Sequence, residues 1–512
     1  MRSQVFKQIT AVCAVSAAAM GAAAAMGATA QAAPSTLAPL HQVTGQTING
    51  AYIVVLKSGT DGGVVAQHHG VAPQRVFSHA LHGFAARLST AQLAQIRQDS
   101  SVAYVEPDSV VTANAKPTPP SSGAAPGASN SRRADNGPVS GNSVETGATW
   151  GLDRVDQPYR PLNGLYRYNS TGRGVTAYII DTGIYTAHSD FGGRATGGFT
   201  AINDGQGTAD CNGHGTHVAG TVGGARYGVA KGVRLVAVRV LDCGGSGSVS
   251  GVISGIDWVT YAHTGPSVAN MSLGGGNSAA LNDAVTNSIA SGVTYSVAAG
   301  NSGADACNFS PASTPSALTV AATDSTDTRA SFSNVGSCVD TFAPGVNITS
   351  DWIGSTTATN TISGTSMAAP HVTGLAALYL QNAPYSTPAT VNQIITTDAV
   401  AGVVSDPAGS PNRLARKWTG SLSGTGAISY EPDGSYWNQN AGYIQAWLQG
   451  AGGTDADLYL QQWNGSAWVY VASSISDTPQ ERIVYNGTAG YYRAVAYAYS
   501  GGGTYDVWVT HP

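Results

Sequence analysis

Through the middle of the chain, apolar residues alternate between two patterns. Val175–Ile180 is an apolar run broken only by Thr176, and Arg234–Val240 and Val293–Ala298 are similarly apolar with a few polar positions. Short runs of this kind are expected of strands buried on both faces of a sheet. Between them the period changes. Val249, Val252, Ile253, Ile256 and Val259 share one helical face, as do Leu281, Ala284, Val285 and Ile289, with Gly292 as a C-cap. This alternation predicts an α/β domain, a parallel sheet with helices on both faces. Before it, residues 41–115 read as a small α+β unit: a strand at Ala51–Leu56, a helix at Ser89–Gln98 with Leu93 and Ile96 on one face, and an extended run at Val102–Val111. Lys116 to about Ser143 is a Pro-, Gly-, Ser- and Ala-rich linker. After Trp418 helical periods stop. Asp457–Trp463 and Ala467–Val471 flank Asn464-Gly465, which signals a hairpin. A second Asn-Gly at 486–487 precedes Tyr491–Tyr499, and Tyr505–Val509 follows, so residues 418–512 are predicted to form an all-β sandwich.

The N-terminus sets the compartment. Arg2 and Lys7 precede an apolar, Ala-rich stretch from Ile9 to Ala25, and Ala30-Gln31-Ala32 offers a small-x-small cleavage site. Residues 1–32 are therefore expected to be a signal peptide and the product to be secreted and extracellular. No other segment approaches roughly 18 uninterrupted apolar residues, so no spanning helix and no membrane partner is expected after signal removal. Charge is modest, 24 Lys and Arg against 29 Asp and Glu for a net −5, without a basic stripe; nucleic acid is not an expected partner. Of five cysteines, Cys13 leaves with the signal peptide, and Cys211, Cys243, Cys307 and Cys338 can pair in three ways. A zinc site from Cys211, His214 and His217 is the weaker reading, because an exported chain oxidises its thiols and no C-x-x-C pair is present.

Three segments carry chemistry. They are A-Y-I-I-D-T-G ending around Asp181, N-G-H-G-T-H-V-A-G around His214, and G-T-S-M-A-A-P around Ser366. In order they supply an acid, a base and a nucleophile. A serine hydroxyl needs a base to take its proton, and a buried carboxylate holds the imidazole in the right tautomer. Ser366 begins a helical segment in which Pro370 is tolerable because it lies in the first turn. The serine thus sits at a helix N-terminus, where free N–H groups favour an anion. His217, three residues beyond His214, is read as core, and His371 as structural.

On these segments the chain resembles the secreted subtilisin-like serine proteases of the proteinase K and aqualysin type, over about residues 41–416. The resemblance implies Asp181 as orienting acid, His214 as general base, Ser366 as nucleophile and Asn301, in Ala298-Ala-Gly-Asn301, as an oxyanion donor. It implies disulfides Cys211–Cys243 and Cys307–Cys338. Residues 33–115 resemble the inhibitory propeptide, acting as intramolecular inhibitor and expected to be cut after Ala115, with a first cut or later trimming anywhere in the linker at 116–145 as the alternative, ahead of a catalytic domain at 146–416. Gly245, Ser246 and Gly247, with Ser272, Leu273 and Gly274, resemble the two edges that hold an extended protein or peptide substrate; Ala298, Ala299 and Gly300 would line the S1 pocket. No Asp or Glu falls in these segments, which favours apolar or aromatic P1 side chains. Structural calcium is expected at Asp340 with the carbonyls of Pro315 and Ala317, and as a second candidate at Asp153, Asp156 and Gln157; oxygen donors suit this hard cation. Residues 418–512 resemble the bacterial pre-peptidase C-terminal domain. A monomer is expected, and a chain ending near Arg416 is expected to fold and act. The Trp and Tyr residues of the last domain read as core, with a role on insoluble substrates or in export as the alternative. Two rivals are weaker. An α/β-hydrolase esterase would carry a Gly-x-Ser-x-Gly elbow, which is lacking around Ser366. A non-catalytic binding protein would not need all three segments.

Overall fold

The strand Thr176–Asp181 shows how the sheet is built. Side chains alternate along it, so Ala177 and Ile179 enter one apolar core and Tyr178 and Ile180 enter another. The first core also holds Val218 and Val222 from the helix His214–Gly223 and Leu375 and Ala376 from the helix Thr365–Asn382. The second holds Val252 and Ile256 from the helix Val249–Ala262 and Leu281 and Val285 from the helix Ala279–Ala290. Two helices thus cover each face, and every residue of Val293–Ala298 is buried. The computed structural model describes residues 37–113, 143–431 and 434–512. Among these, the central sheet orders its strands as Val400–Ala401, Arg413–Leu414, Thr341–Pro344, Leu318–Thr323, Val293–Ala298, Ser267–Met271, Thr176–Asp181, Arg234–Arg239 and Ala195–Thr200. All neighbours are parallel except the first pair. The signal peptide, the Ala115 junction and linker residues up to 142 lie outside the described residues.

Residues 38–113 form a four-stranded antiparallel sheet with two short helices. The predicted helix at Ser89–Gln98 is observed at Thr90–Ile96, with Ser89 and Gln92 closing a capping box. The strand Val102–Ala113 extends two residues beyond its predicted end. Along it, Glu106 and Asp108 reach the N-termini of two catalytic-domain helices. Glu106 accepts from the Ser278 hydroxyl and the Ala280 N–H, and Asp108 from the Ser250 N–H and hydroxyl at 3.0 and 2.6 Å. Carboxylates are favoured there by the helix dipole. In return Asp257 accepts the backbone N–H groups of His79 and Ala80 at 2.7 and 2.8 Å.

The C-terminal region is a β-sandwich. One sheet contains Thr419–Leu422, Gly503–Thr510, Gly442–Gly450 and Gln480–Gly487; the other contains Ile428–Glu431, Gly490–Ser500, Asp455–Trp463 and Trp468–Ser474. Ile444, Leu448, Leu458, Leu460, Ala494 and Ala496 fill the space between. The Asn464 hairpin has a four-residue loop, in which the Asn464 side chain accepts the N–H groups of Ser466 and Ala467 at 3.0 and 2.9 Å. Asn486-Gly487 ends a strand instead of making the turn, because the chain reverses at 488–489. The first sheet's outer face is partly covered by the catalytic domain. Its Trp447 and Trp508 pack on Tyr379, near the end of the Thr365–Asn382 helix, with ring centroids 5.4 and 6.3 Å away. Ala38–Pro512 is accordingly one compact unit.

Candidate active site

Asp181 stands at the carboxyl end of its strand, where open α/β sheets place their sites. His214 opens the helix that follows, and its Nδ1 lies 2.8 Å from Asp181 Oδ1, with both side chains buried. The helix start is held by a residue that sequence reasoning passed over. Asp210 accepts from the Thr182 hydroxyl at 2.9 Å, from the N–H groups of Asn212, Gly213 and Thr216 at 2.9 Å each, and from the Thr216 hydroxyl at 2.6 Å. An Asp shortly before a helical run was its only sequence signal. Burial opposes a proton on His214, but the charge and hydrogen bond of Asp181, with the charge of Asp210, outweigh it and raise the imidazole above its ordinary value. His217 behaves oppositely. Burial pushes it down to about 3, and its Nε2 lies 3.0 Å from the Ile348 carbonyl. His371 is likewise lowered by burial to about 4, against the Met367 carbonyl at 2.8 Å.

Ser366 is the second residue of its helix. Its hydroxyl donates to the Ser272 carbonyl at 2.9 Å, while the Ser272 hydroxyl donates to the Ser366 carbonyl at 2.8 Å. A buried chain continues from there: Asn270 Nδ2 donates to the Ser272 hydroxyl at 2.8 Å, and the Thr373 hydroxyl donates to Asn270 Oδ1 at 2.9 Å. Asn270 and Thr373 therefore lock the serine helix to one edge of the cleft, and sequence reasoning identified neither. Asn301 Oδ1 accepts the N–H and hydroxyl of Thr365, each at 2.9 Å, which fixes the plane of its amide beside Ser366. Gly300, at φ +105°, gives the turn leading to it; a Cβ there would lie 2.3 Å from Asn334 Nδ2.

The cleft is filled by the chain itself. Residues 110–113 run antiparallel between two edges, with Ser246 opposite Thr112, Gly247 opposite Val111, Leu273 opposite Ala113 and Gly274 opposite Thr112. The Ala113 N–H donates to the Gly245 carbonyl at 2.9 Å. An uncharged pocket beside the strand is lined by Gly274, Ala298, Ala299, Gly300, Asn301 and Phe309, among others. The structure joins Cys211 to Cys243, Cα–Cα 5.0 Å, and Cys307 to Cys338, Cα–Cα 5.3 Å. The first bridge ties the segment before His214 to the cleft edge at 243–247.

The two metal candidates differ. Asp340 accepts the Thr319 N–H at 2.8 Å, two residues past Ala317, so its carboxylate and the Pro315–Ala317 turn are neighbours. A carboxylate with two carbonyls is a donor set that fits calcium. In the set Asp153, Asp156 and Gln157 most polar atoms have protein partners, while the buried Asp153 Oδ1 has none. Asp156 Oδ1 pairs with Lys417 Nζ at 3.0 Å, and its Oδ2 accepts the Arg167 N–H at 2.8 Å. Asp153 Oδ2 accepts the Gly164 N–H at 2.6 Å, and Gln157 Nε2 donates to the carbonyls of Tyr159 and Pro161 at 2.8 and 2.9 Å. The Lys417 ammonium and, at 3.7 Å, the Arg167 guanidinium bring positive charge to Asp156.

Comparison with known proteins gives the family. The Subtilase family model matches residues 172–427, and the Peptidase inhibitor I9 model matches residues 51–114. An extracellular serine proteinase of Thermus sp. (strain Rt41A) is 53% identical over 346 residues, 67% of this chain and 78% of that protein. Alkaline serine exoprotease A of Vibrio alginolyticus is 50% identical over 346 residues, 68% of this chain and 60% of that protein. A solved cold-adapted subtilisin-like serine proteinase aligns with a TM-score of 0.52 at 56% identity, over 53% of this chain and 98% of that one. The chain thus belongs to the subtilase family and is a serine endopeptidase preceded by an I9-type inhibitory propeptide.

Proposed function

We propose that the protein is an exported, monomeric endopeptidase made as a self-processing zymogen, with Ser366 as nucleophile, His214 as general base and Asp181 as the carboxylate that orients it. The observation that carries this is the 2.8 Å contact of His214 Nδ1 with Asp181, set beside a serine at a helix N-terminus. In the reaction the Ser366 hydroxyl turns from the Ser272 carbonyl to His214 Nε2 and attacks the scissile carbonyl as the imidazole takes its proton. The Ser366 N–H and the Asn301 amide nitrogen receive the oxyanion. His214 then protonates the leaving amine, and water admitted by the same base hydrolyses the acyl-enzyme. Substrate is held as an added antiparallel strand between residues 245–247 and 272–274, as residues 110–113 are held. The described strand ends at Ala113, opposite Leu273 and next to Ser272, whose carbonyl accepts the Ser366 hydroxyl; a cleft-bound strand ending two residues before Ala115 supports cleavage there. The uncharged pocket at Ala298–Gly300 favours apolar or aromatic P1 side chains. Asp340 with the carbonyls of Pro315 and Ala317 would hold a calcium ion that stabilises the fold. The domain limits are 33–115 for the propeptide, 116–145 for the linker, 146–416 for the catalytic domain and 418–512 for the sandwich. Ser366→Ala tests the assignment. It is expected to abolish peptide hydrolysis and leave a precursor that N-terminal sequencing finds uncut near Ala115; a variant that matures when expressed alone would refute it.

A further inference from the structure

The second sheet of the sandwich turns its outer face away from the catalytic domain, and that face is paved with aromatic rings. Register explains the array. Leu458, Leu460, Ala494 and Ala496 point into the core, so their neighbours Tyr459, Gln461, Arg493 and Tyr497 point out. Tyr430 joins them from the adjacent strand. Tyr459 lies 5.3 Å from Tyr470 and 6.5 Å from Tyr497 between ring centroids. Trp468 lies 5.6 Å from Trp463 and 5.7 Å from Tyr436, which lies 5.5 Å from Tyr491. The Arg493 guanidinium lies 3.9 Å from the Tyr430 ring centre and 4.5 Å from that of Trp468, between those two rings. These are not core residues: Tyr470 is 63% exposed and Tyr436 55%. Contiguous exposed apolar surface of this kind marks an interaction site.

Charge selects the partner. Residues 418–512 contain no lysine and two arginines, Arg482 and Arg493, against seven Asp or Glu. Arg493 is engaged by Gln461 Oε1 at 2.8 Å, and Asp457 accepts the Tyr459 hydroxyl at 3.0 Å. Nucleic acids and anionic lipid surfaces require free cations, which this face lacks. What it offers instead is a row of flat apolar faces with phenol and amide groups at their edges. A sugar ring presents the complement, an apolar C–H face rimmed by hydroxyls. The rings are tilted to one another by 47° to 89° along the row, so they suit a glycan chain whose sugars rotate in turn, not the flat face of a crystal. We propose that this face binds a neutral polysaccharide and holds the protease on glycan-rich solids.

The test uses the secreted full-length enzyme blocked by a serine-directed sulfonyl fluoride and sedimented with amorphous cellulose, with chitin, with insoluble elastin and with phosphatidylglycerol vesicles. It is expected to sediment with at least one of the two polysaccharides. Trp468→Ala and Tyr470→Ala should each weaken that binding about fivefold or more, the order expected for loss of one stacked ring. Both should keep the thermal midpoint and the kcat/KM on a small peptide. Binding to neither polysaccharide, binding unchanged in both variants, or binding to elastin or vesicles alone would overturn the proposal, the last two pointing to a protein or lipid partner.

Discussion

Replacing Lys417 by Met is the sharpest probe of how the sandwich is joined to the catalytic domain. Lys417 is 1% exposed. Its ammonium lies 3.0 Å from Asp156 Oδ1 in the catalytic domain and 3.3 Å from Asp506 Oδ1 in the sandwich, and it donates to the Thr419 hydroxyl at 2.7 Å and to the Arg167 carbonyl. Asp506 Oδ2 in turn accepts the backbone N–H groups of Asn169 and Ser170 at 3.1 and 2.8 Å. Methionine keeps most of the volume but leaves two buried carboxylates facing each other. Removing one partner of a buried ionic group costs about 3–5 kcal/mol. For a domain of a few hundred residues each kcal/mol lowers the midpoint by roughly 2–4 °C, so a fall on the order of 10 °C is expected. Scanning calorimetry on inhibitor-blocked enzyme measures it, at several scan rates because unfolding of a secreted protease is often irreversible. The sign with pH is fixed. Burial opposes the Lys417 charge, but Asp156 and Asp506 outweigh it and raise its pKa. Its contribution is therefore full below the unfolded value, about 10.4, and is lost as pH rises through the folded one. The gap between wild type and variant should be constant at neutral pH and close under strongly alkaline conditions. Adding Asp156→Asn and Asp506→Asn to the Met variant should recover much of the loss, since no unpaired charge then remains. An unchanged midpoint in Lys417→Met, or a triple variant no more stable than the single one, would refute the reasoning.

Other expectations concern the active site. Asn301→Ala should lower kcat by about 10²–10³ with little change in KM; the figure is borrowed from the corresponding donor of subtilisin, a member of this family. Because His214 must be neutral to act and its pKa is raised, kcat/KM should fall as pH drops through a value above about 6.5, and Asp181→Asn should both move that limb down and cost on the order of 10⁴ in kcat. Chelation by EDTA should lower the thermal midpoint and speed autolysis before activity is lost, and Asp340→Asn should remove the calcium dependence; immediate loss restored by zinc would refute a structural role for calcium.

Much of this was legible because the informative signals are local. The strand at Thr176–Asp181 announces itself by six consecutive residues, and the helix faces at 249–259 and 281–289 by a period that needs only a dozen. The acid, base and serine each sit in a segment long enough to be specific. What the sequence hid are pairs made across distance. Lys417 meets Asp156 and Asp506 across 261 and 89 positions in the chain, so nothing near any of them revealed that Asp156 faces an ammonium. The same holds for Asn270 with Thr373, 103 residues apart. Nor could composition show that Trp447 and Trp508 lie under the catalytic domain while Trp463 and Trp468 lie outside. All four occur in strands of similar pattern, and the difference is which sheet docks.

That docking changes what the boundary near residue 417 means. The Thr365–Asn382 helix runs from Ser366 to the sandwich. At one end Asn301 and Ser272 hold Thr365 and Ser366; near the other Tyr379 lies beneath Trp447 and Trp508. A chain ending at Arg416 would lose Lys417 and expose Tyr379, leaving Asp156 with the Arg167 guanidinium, 3.7 Å away, as its remaining cation. Such a chain was expected from sequence to fold and act unaided. The structure argues instead that it should unfold at a lower temperature and autolyse faster, even though every residue of the cleft is still present. Any loss of activity should then follow unfolding. In a truncated enzyme held well below its midpoint, kcat/KM on a small peptide should match that of the full chain. A truncated enzyme as stable as the full chain would show that the sandwich only rests on the helix; one that is folded but slow would show that the far end of the helix helps to set the position of Ser366.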